Sequence, residues 1–237
     1  MKKIVVAIAL TTIALTACWG KATAATEKAT NAPAAESTAD NTQKAVVAET
    51  VAASKEDDAS TVKEQLEFNP LKTLDGEICL LITNNSSSII DELEVQINYK
   101  NGSGETIDMD TDGHDMVLPG STVVSKMSAP EEYSDYEIVS DVQLGCHPSY
   151  KNHADKISIT SNPGDDCVII EITNNDDVSI DEIEYAMVYY KGDEVAHIDY
   201  PQDIYDVEAG KTVTEKASPF DVDYDSYEVY LNQAHTF

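Results

Sequence analysis

Ile90-Asp91-Glu92-Leu93-Glu94-Val95-Gln96-Ile97-Asn98-Tyr99-Lys100 is the stretch on which the fold turns. Leu93, Val95, Ile97 and Tyr99 alternate with Glu94, Gln96, Asn98 and Lys100. A period of two puts the apolar set on one face of an extended chain and the polar set on the other, which predicts a half-buried β-strand. The pattern returns about 90 residues later, a spacing that marks an internal repeat. Ile180-Asp181-Glu182-Ile183-Glu184 answers Ile90-Asp91-Glu92-Leu93-Glu94, and Tyr185, Met187 and Tyr189 take the apolar positions.

The repeat extends in both directions. Upstream, Ile82-Thr83-Asn84-Asn85 matches Ile172-Thr173-Asn174-Asn175, and Ile78, Leu80 and Ile82 match Val168, Ile170 and Ile172 as a preceding strand. Asn tolerates left-handed backbone and bonds its neighbours, so the Thr-Asn-Asn string predicts a turn. Downstream, Pro119-Gly120 and Ala209-Gly210 are turn signals before strands at Thr122–Lys126 and Thr212–Lys216. A last strand passes through Tyr136-Glu137-Ile138 and Tyr227-Glu228-Val229. Short strands, regular turns and no amphipathic helix predict an all-β chain of two tandem β-sandwiches, at 67–146 and 156–237, joined by a linker at 147–155.

The chain begins with Lys2-Lys3 and an apolar run from Ile4 to Thr16. That run is short of the roughly 20 residues a membrane span needs, and it has the proportions of an export signal. Leu15-Thr16-Ala17-Cys18 follows and resembles the lipobox of bacterial lipoprotein signal peptides. The resemblance implies cleavage between Ala17 and Cys18, loss of residues 1–17, and a diacylglyceryl group on Cys18. Two acyl chains suffice for stable anchoring where one does not. An ordinary export signal cut at Ala22-Thr23-Ala24 is the competing expectation. Residues 18–66 are rich in Ala, Thr, Glu and Lys, with no patterned apolar surface to offset chain entropy. They are expected to form a disordered tether with a span on the order of 35–40 Å.

The formal net charge is −29, and every basic residue is Lys. An acidic chain without guanidinium groups repels phosphate backbones and lacks the fork that reads guanine edges, so nucleic-acid partners are excluded. Tyr supplies 12 of the aromatics, against 3 Phe and 1 Trp. That bias suits half-buried strands, with an aromatic binding surface as the other use.

An Asn-rich turn, a long alternating strand running into Tyr-x-x-Gly, and a Pro/Ala-Gly-x-Thr turn resemble the Ig-like domains of bacterial surface lipoproteins, nearest to the FxLYD-type module. The resemblance covers both units. The F-x-L-Y-D string itself is replaced by Tyr99-Lys100-Asn101-Gly102 and Tyr189-Tyr190-Lys191-Gly192. Such modules imply spacer or interaction roles and carry over no catalytic residues.

Three chemistries remain to be placed. Asp108-Met109-Asp110-Thr111-Asp112-Gly113 matches the opening of a calcium loop, in which alternate oxygens surround the ion. The twelfth position is Pro119 instead of a bidentate Glu, so Asp108, Asp110 and Asp112 form either a weak calcium site or a plain acidic turn. Cys79 and Cys146 would join the first and last strands of the first unit if bridged, although the second unit has no equivalent pair. His147 and His153 fall in the linker, where solvation is the simpler expectation. No phosphate loop, nucleophile elbow or H-E-x-x-H string occurs. The expectation is a non-catalytic protein without an obligate cofactor, lipid-anchored on the extracytoplasmic face of the membrane. Its two sandwiches would meet an envelope or host protein or a glycan. A stalk without a ligand is the alternative, and an envelope solute-binding lipoprotein or enzyme the more distant one.

Overall fold

The structure is a computed structural model that describes residues 58–164, 166–219 and 222–237, all within one compact unit. The expected export signal, Cys18 and residues 18–57 of the expected tether lie outside the described residues. The fold is all-β, as the alternation predicts.

In the first repeat, β1 (Leu66–Lys72), β2 (Ile78–Asn84) and β5 (Thr122–Met127) form one antiparallel sheet in the order β1-β2-β5. Facing it is a second sheet of β4 (Thr106–Val117), β3 (Ile90–Lys100) and β6 (Asp135–Gln143), in the order β4-β3-β6. Ile78, Leu80 and Ile82 from β2 meet Leu93, Val95, Ile97 and Tyr99 from β3 in one closed interior.

The second repeat is built the same way. β8 (Ile157–Pro163), β9 (Val168–Asn174) and β12 (Thr212–Ala217) form one sheet. β10 (Ile180–Lys191), β11 (Glu194–Val207), β13 (Ser226–Thr236) and the short β7 (Lys151–Asn152) form the other. Ile170, Ile172, Ile183, Tyr185, Met187 and Tyr189 fill its interior.

The repeated Asn has a more exact role than turn former. Asn84 and Asn174 are fully buried. Asn84 Nδ2 donates to the carbonyls of Ser88 and Val117, and its Oδ1 accepts from the Ser86 N–H. Asn174 does the same with Val178, Val207 and Asp176. Each Asn thus ties its turn to the far end of the neighbouring long strand and satisfies backbone groups that burial would otherwise orphan. Gly120 and Gly210 both take left-handed backbone, with φ of 73° and 66°, where a side chain would be strained. The Tyr clusters are also core packing. Tyr133 packs on Tyr99 at 5.1 Å and Tyr136 edges Tyr133 at 6.4 Å; Tyr224 on Tyr189 and Tyr227 repeat this at 4.9 and 6.4 Å.

Two expected boundaries are corrected. The tether does not reach residue 66. A short helix α1 (Ala59–Lys63) starts at Asp58, whose carboxylate caps it by accepting from the Thr61 N–H at 2.9 Å. Val62 is fully buried in the first interior, and Lys63 Nζ donates to the Ser140 carbonyl. One apolar side chain, too little to register as a pattern, is enough to hold this turn. Nor is 147–155 a solvated linker. β7 pairs with the end of β13, Asn152 Nδ2 donates to the Met116 carbonyl at 2.6 Å, and a 3-10 turn follows at Ala154–Lys156. His153 Nδ1 sits 2.7 Å from Asp176 Oδ2.

A third apolar cluster lies between the repeats. Cys79 and Val124, on the outward side of the β1-β2-β5 sheet, pack with Ala186, Val188, Val195, Ile198 and Tyr230 from the outward side of the β10 sheet. The four sheets therefore stack, with three apolar layers between them. At this junction Asn232 Oδ1 accepts from the Val124 N–H at 3.0 Å, while its Nδ2 donates to the Val124 carbonyl at 3.1 Å and to Glu184 Oε1 at 3.0 Å. The Leu74 N–H adds a bond to the Val195 carbonyl at 2.9 Å.

Candidate functional site

The structure moves the acidic D-x-D-x-D stretch out of any loop. Asp108, Asp110 and Asp112 lie within β4, opposite Tyr99, Ile97 and Val95. Same-side residues on a strand are about 6.5 Å apart, so the three carboxylates spread along roughly 13 Å of one edge. A calcium ion needs its oxygens at about 2.3–2.6 Å from one centre. The strand cannot gather them, and the acidic turn is equally absent. Asp110 Oδ2 instead accepts from the Ser128 N–H at 2.6 Å, which fastens the end of β5. Charges on the inward side of an edge strand also discourage further strand pairing.

Next to Asp112, His114 is buried with Nε2 2.6 Å from Ser125 Oγ. Burial pushes this imidazole down to about 4 against the opposing pull of Asp112, so it is neutral near pH 7. The second repeat has Ile204 at the matching place.

Cys79, Cys146 and Cys167 are free thiols, and no bridge joins Cys79 to Cys146. The reason is placement. Cys79 faces the layer between the repeats, where burial pushes its thiol up to about 12. Cys146 sits past the end of β6, on the other sheet.

What surrounds Cys146 was invisible in the chain order. Glu92 and Asp115 are direct partners across the β3–β4 pair, both on the outward side. After β6 the chain turns at Gly145, which has a φ of 67° and whose N–H donates to Asp91 Oδ2. The turn brings Cys146 and His147 back over the two carboxylates. Cys146 Sγ lies 3.9 Å from Glu92 Oε2. His147 Nε2 lies 3.9 Å from Glu92 Oε2 and 3.8 Å from Asp115 Oδ1. Neither the alternation nor any short motif signals this convergence. The one trace of it in the sequence is that Asp115, Cys146 and His147 have no counterparts in the second repeat.

The His147 ring is held flat against Tyr150, with centroids 4.7 Å apart and planes 12° apart. Tyr150 stacks in turn on His235 at 5.0 Å and 4°, and Phe237 meets both edge-on. This stack ties the turn of the first repeat to the last strand of the second. A shallow depression of about 270 Å³ runs from Glu92 and Asp115 along the strand edge toward Asp112. No protein-family model and no curated protein matches this chain.

The cluster does not have the electrostatics of a thiol nucleophile. Partial burial, with Asp91 and Glu92 nearby, raises the Cys146 thiol. A reactive cysteine needs the reverse, a positive surrounding that favours thiolate.

The outward sheet faces differ between the repeats. In the second, Ala186, Val188 and Tyr230 are buried against the first repeat. Among the described residues the matching face of the first repeat packs against no other sheet and is mostly polar, with Gln96 and Asn98 on β3, but Met109 and Val139 are exposed on it. Among the described residues no helix is long and apolar enough to cross a membrane.

Proposed function

We propose that the chain is a lipid-anchored surface protein of the extracytoplasmic membrane face. In this reading it is non-catalytic and holds a docked pair of Ig-like, FxLYD-like sandwiches away from the bilayer for contact with an envelope or host protein or a glycan. Leu15-Thr16-Ala17-Cys18 supports the anchor. The observation that carries the contact function is the use of equivalent faces. The outward face of the second repeat already serves as a docking surface, and the first repeat's copy, which no other sheet covers among the described residues, exposes Met109 and Val139. Met109 and Val139 flank β3 opposite Asn98 and Gln96, a small apolar contact within a polar rim of the kind a reversible partner uses.

Two outcomes test this. Cys18→Ala is expected to move the protein from the detergent phase to the aqueous phase on fractionation, and unchanged membrane retention would refute the anchor. Met109→Glu combined with Val139→Glu is expected to lower capture of an envelope or host component by tenfold or more while leaving the melting temperature within about 2 °C. Equal capture by wild type and double variant would favour a stalk without a ligand.

A further inference from the structure

We infer that Glu92, Asp115, Cys146 and His147 form a binding site for one borderline-soft divalent metal ion, of the class of zinc. The site lies at the other end of the outward face that carries Met109 and Val139 and needs no partner there. One donor atom each from Glu92, Cys146 and His147 lies within 4.8 Å of the others. The separations of 3.9 Å from the sulfur to Glu92 and 3.9 Å from His147 to Glu92 are close to the edges of a tetrahedron, and Asp115 Oδ1, 3.8 Å from His147, stands beside this set as a further oxygen. With bonds of about 2.3 Å to sulfur and 2.0–2.2 Å to nitrogen and oxygen, tetrahedral edges are about 3.3–3.6 Å. Small side-chain rotations close the difference.

The donor chemistry selects the ion. Thiolate and imidazole suit zinc and its neighbours, whereas a calcium site would use six to eight oxygens. Two carboxylates directly opposite on paired strands repel one another. An ion between Glu92 and Asp115 removes that penalty. The surroundings also fit. The Gly145–Asp91 hydrogen bond fixes the turn that carries two donors, and stacking on Tyr150 fixes the plane of the imidazole. His147, Glu92 and Asp115 keep 29%, 40% and 34% of their side-chain surfaces open, so an ion has a path in. On binding, the Cys146 S–H bond breaks, the sulfur lone pair enters the metal–sulfur bond, and the proton leaves to buffer.

The test uses the full chain carrying Cys18→Ser, reduced and metal-free, titrated with cobalt(II) as a spectroscopic stand-in and then with zinc against a chromophoric chelator. One cobalt per chain with a thiolate-to-metal charge-transfer band in the near ultraviolet is expected, and one equivalent of zinc should bleach it. Cys146→Ser should abolish the band, His147→Gln and Glu92→Gln should each weaken zinc at least tenfold, and Cys167→Ser should change neither. Near-ultraviolet circular dichroism of each variant checks that the fold persists. Absence of the band in the parent chain, or its survival in Cys146→Ser, would overturn the assignment. So would displacement of cobalt by equimolar calcium, which would mark a carboxylate site instead.

Discussion

Asn232→Ala is expected to destabilise the protein by about 3 kcal/mol and to lower its melting temperature by about 6–12 °C. Val124 lies on β5, the edge strand of its sheet, and both its peptide groups are taken by the Asn232 amide. The same Nδ2 also serves Glu184. Asn232 is nearly fully buried, so an alanine leaves a donor, an acceptor and a carboxyl group without this partner. Each orphaned group costs about 1–3 kcal/mol, and water entering the gap offsets part of the sum. For a folded region of this size, 1 kcal/mol corresponds to about 2–4 °C. Asn232 is the extra residue where the β10–β13 register shifts, whereas Asp141, opposite Glu94 in the regular β3–β6 pair, is exposed, so Asp141→Ala should shift the transition by less than about 1 °C. Equal melting of Asn232→Ala and wild type, by calorimetry, would mean that the repeats do not rest on one another through this contact.

The second large effect is a pH dependence centred on Glu184. Burial in the layer beside Asn232 pushes its carboxyl up to about 7 from 4.5. The Asn232 hydrogen bond opposes that rise, and the charges of Asp203, Asp112 and Glu182 add to it. The folded chain then holds a proton that the unfolded chain releases, between about pH 4.5 and 7. Where the native state binds more protons, stability falls as pH rises. The contribution is fully present below pH 4.5 and fully lost above pH 7, a difference on the order of 3 kcal/mol. General repulsion among the acids of a chain with net charge −29 slopes the same way, so the readout is the difference between proteins. Glu184→Gln keeps an acceptor for Asn232 and removes the titration. It is expected to match wild type near pH 4.5 and to melt about 5–10 °C higher at pH 8. Parallel melting curves for the two proteins from pH 4.5 to 8 would show that Glu184 is not the group concerned.

Legibility in the sequence followed strand position. β2, β3, β9 and β10 were readable because their inward residues alternate without interruption, and β5 and β12 because the Pro119-Gly120 and Ala209-Gly210 turns announce them. β1 was not, since Pro70 interrupts Leu66–Lys72; an edge strand tolerates the lost N–H where a central one would not. β4 was hidden by its acids. Asp108, Asp110 and Asp112 look like an ion loop in one dimension and become the flank of a sheet in three. The layer between the repeats had left a trace that is plain in retrospect. Outward positions Leu81 and Val124 are Glu171 and Thr214 in the second repeat, and Ala186 and Val188 are Gln96 and Asn98 in the first. Only the two faces that meet are apolar, and the polar faces at either end stop the stack from growing.

By itself, the sequence determined the doubling of one β unit, the inward side of β2, β3, β9 and β10, and the turns that reverse the chain. These follow from a two-residue period and from local backbone preferences, which act between near neighbours. Only the tertiary structure decided which outward faces meet, why Cys79 and Cys146 stay apart, and how Glu92, Asp115, Cys146 and His147 come together. Those are relations between surfaces and strand ends far apart along the chain. Strand pairing and the turn at Gly145 set them, and no local pattern encodes the distance between two side chains that only the completed sheet makes neighbours.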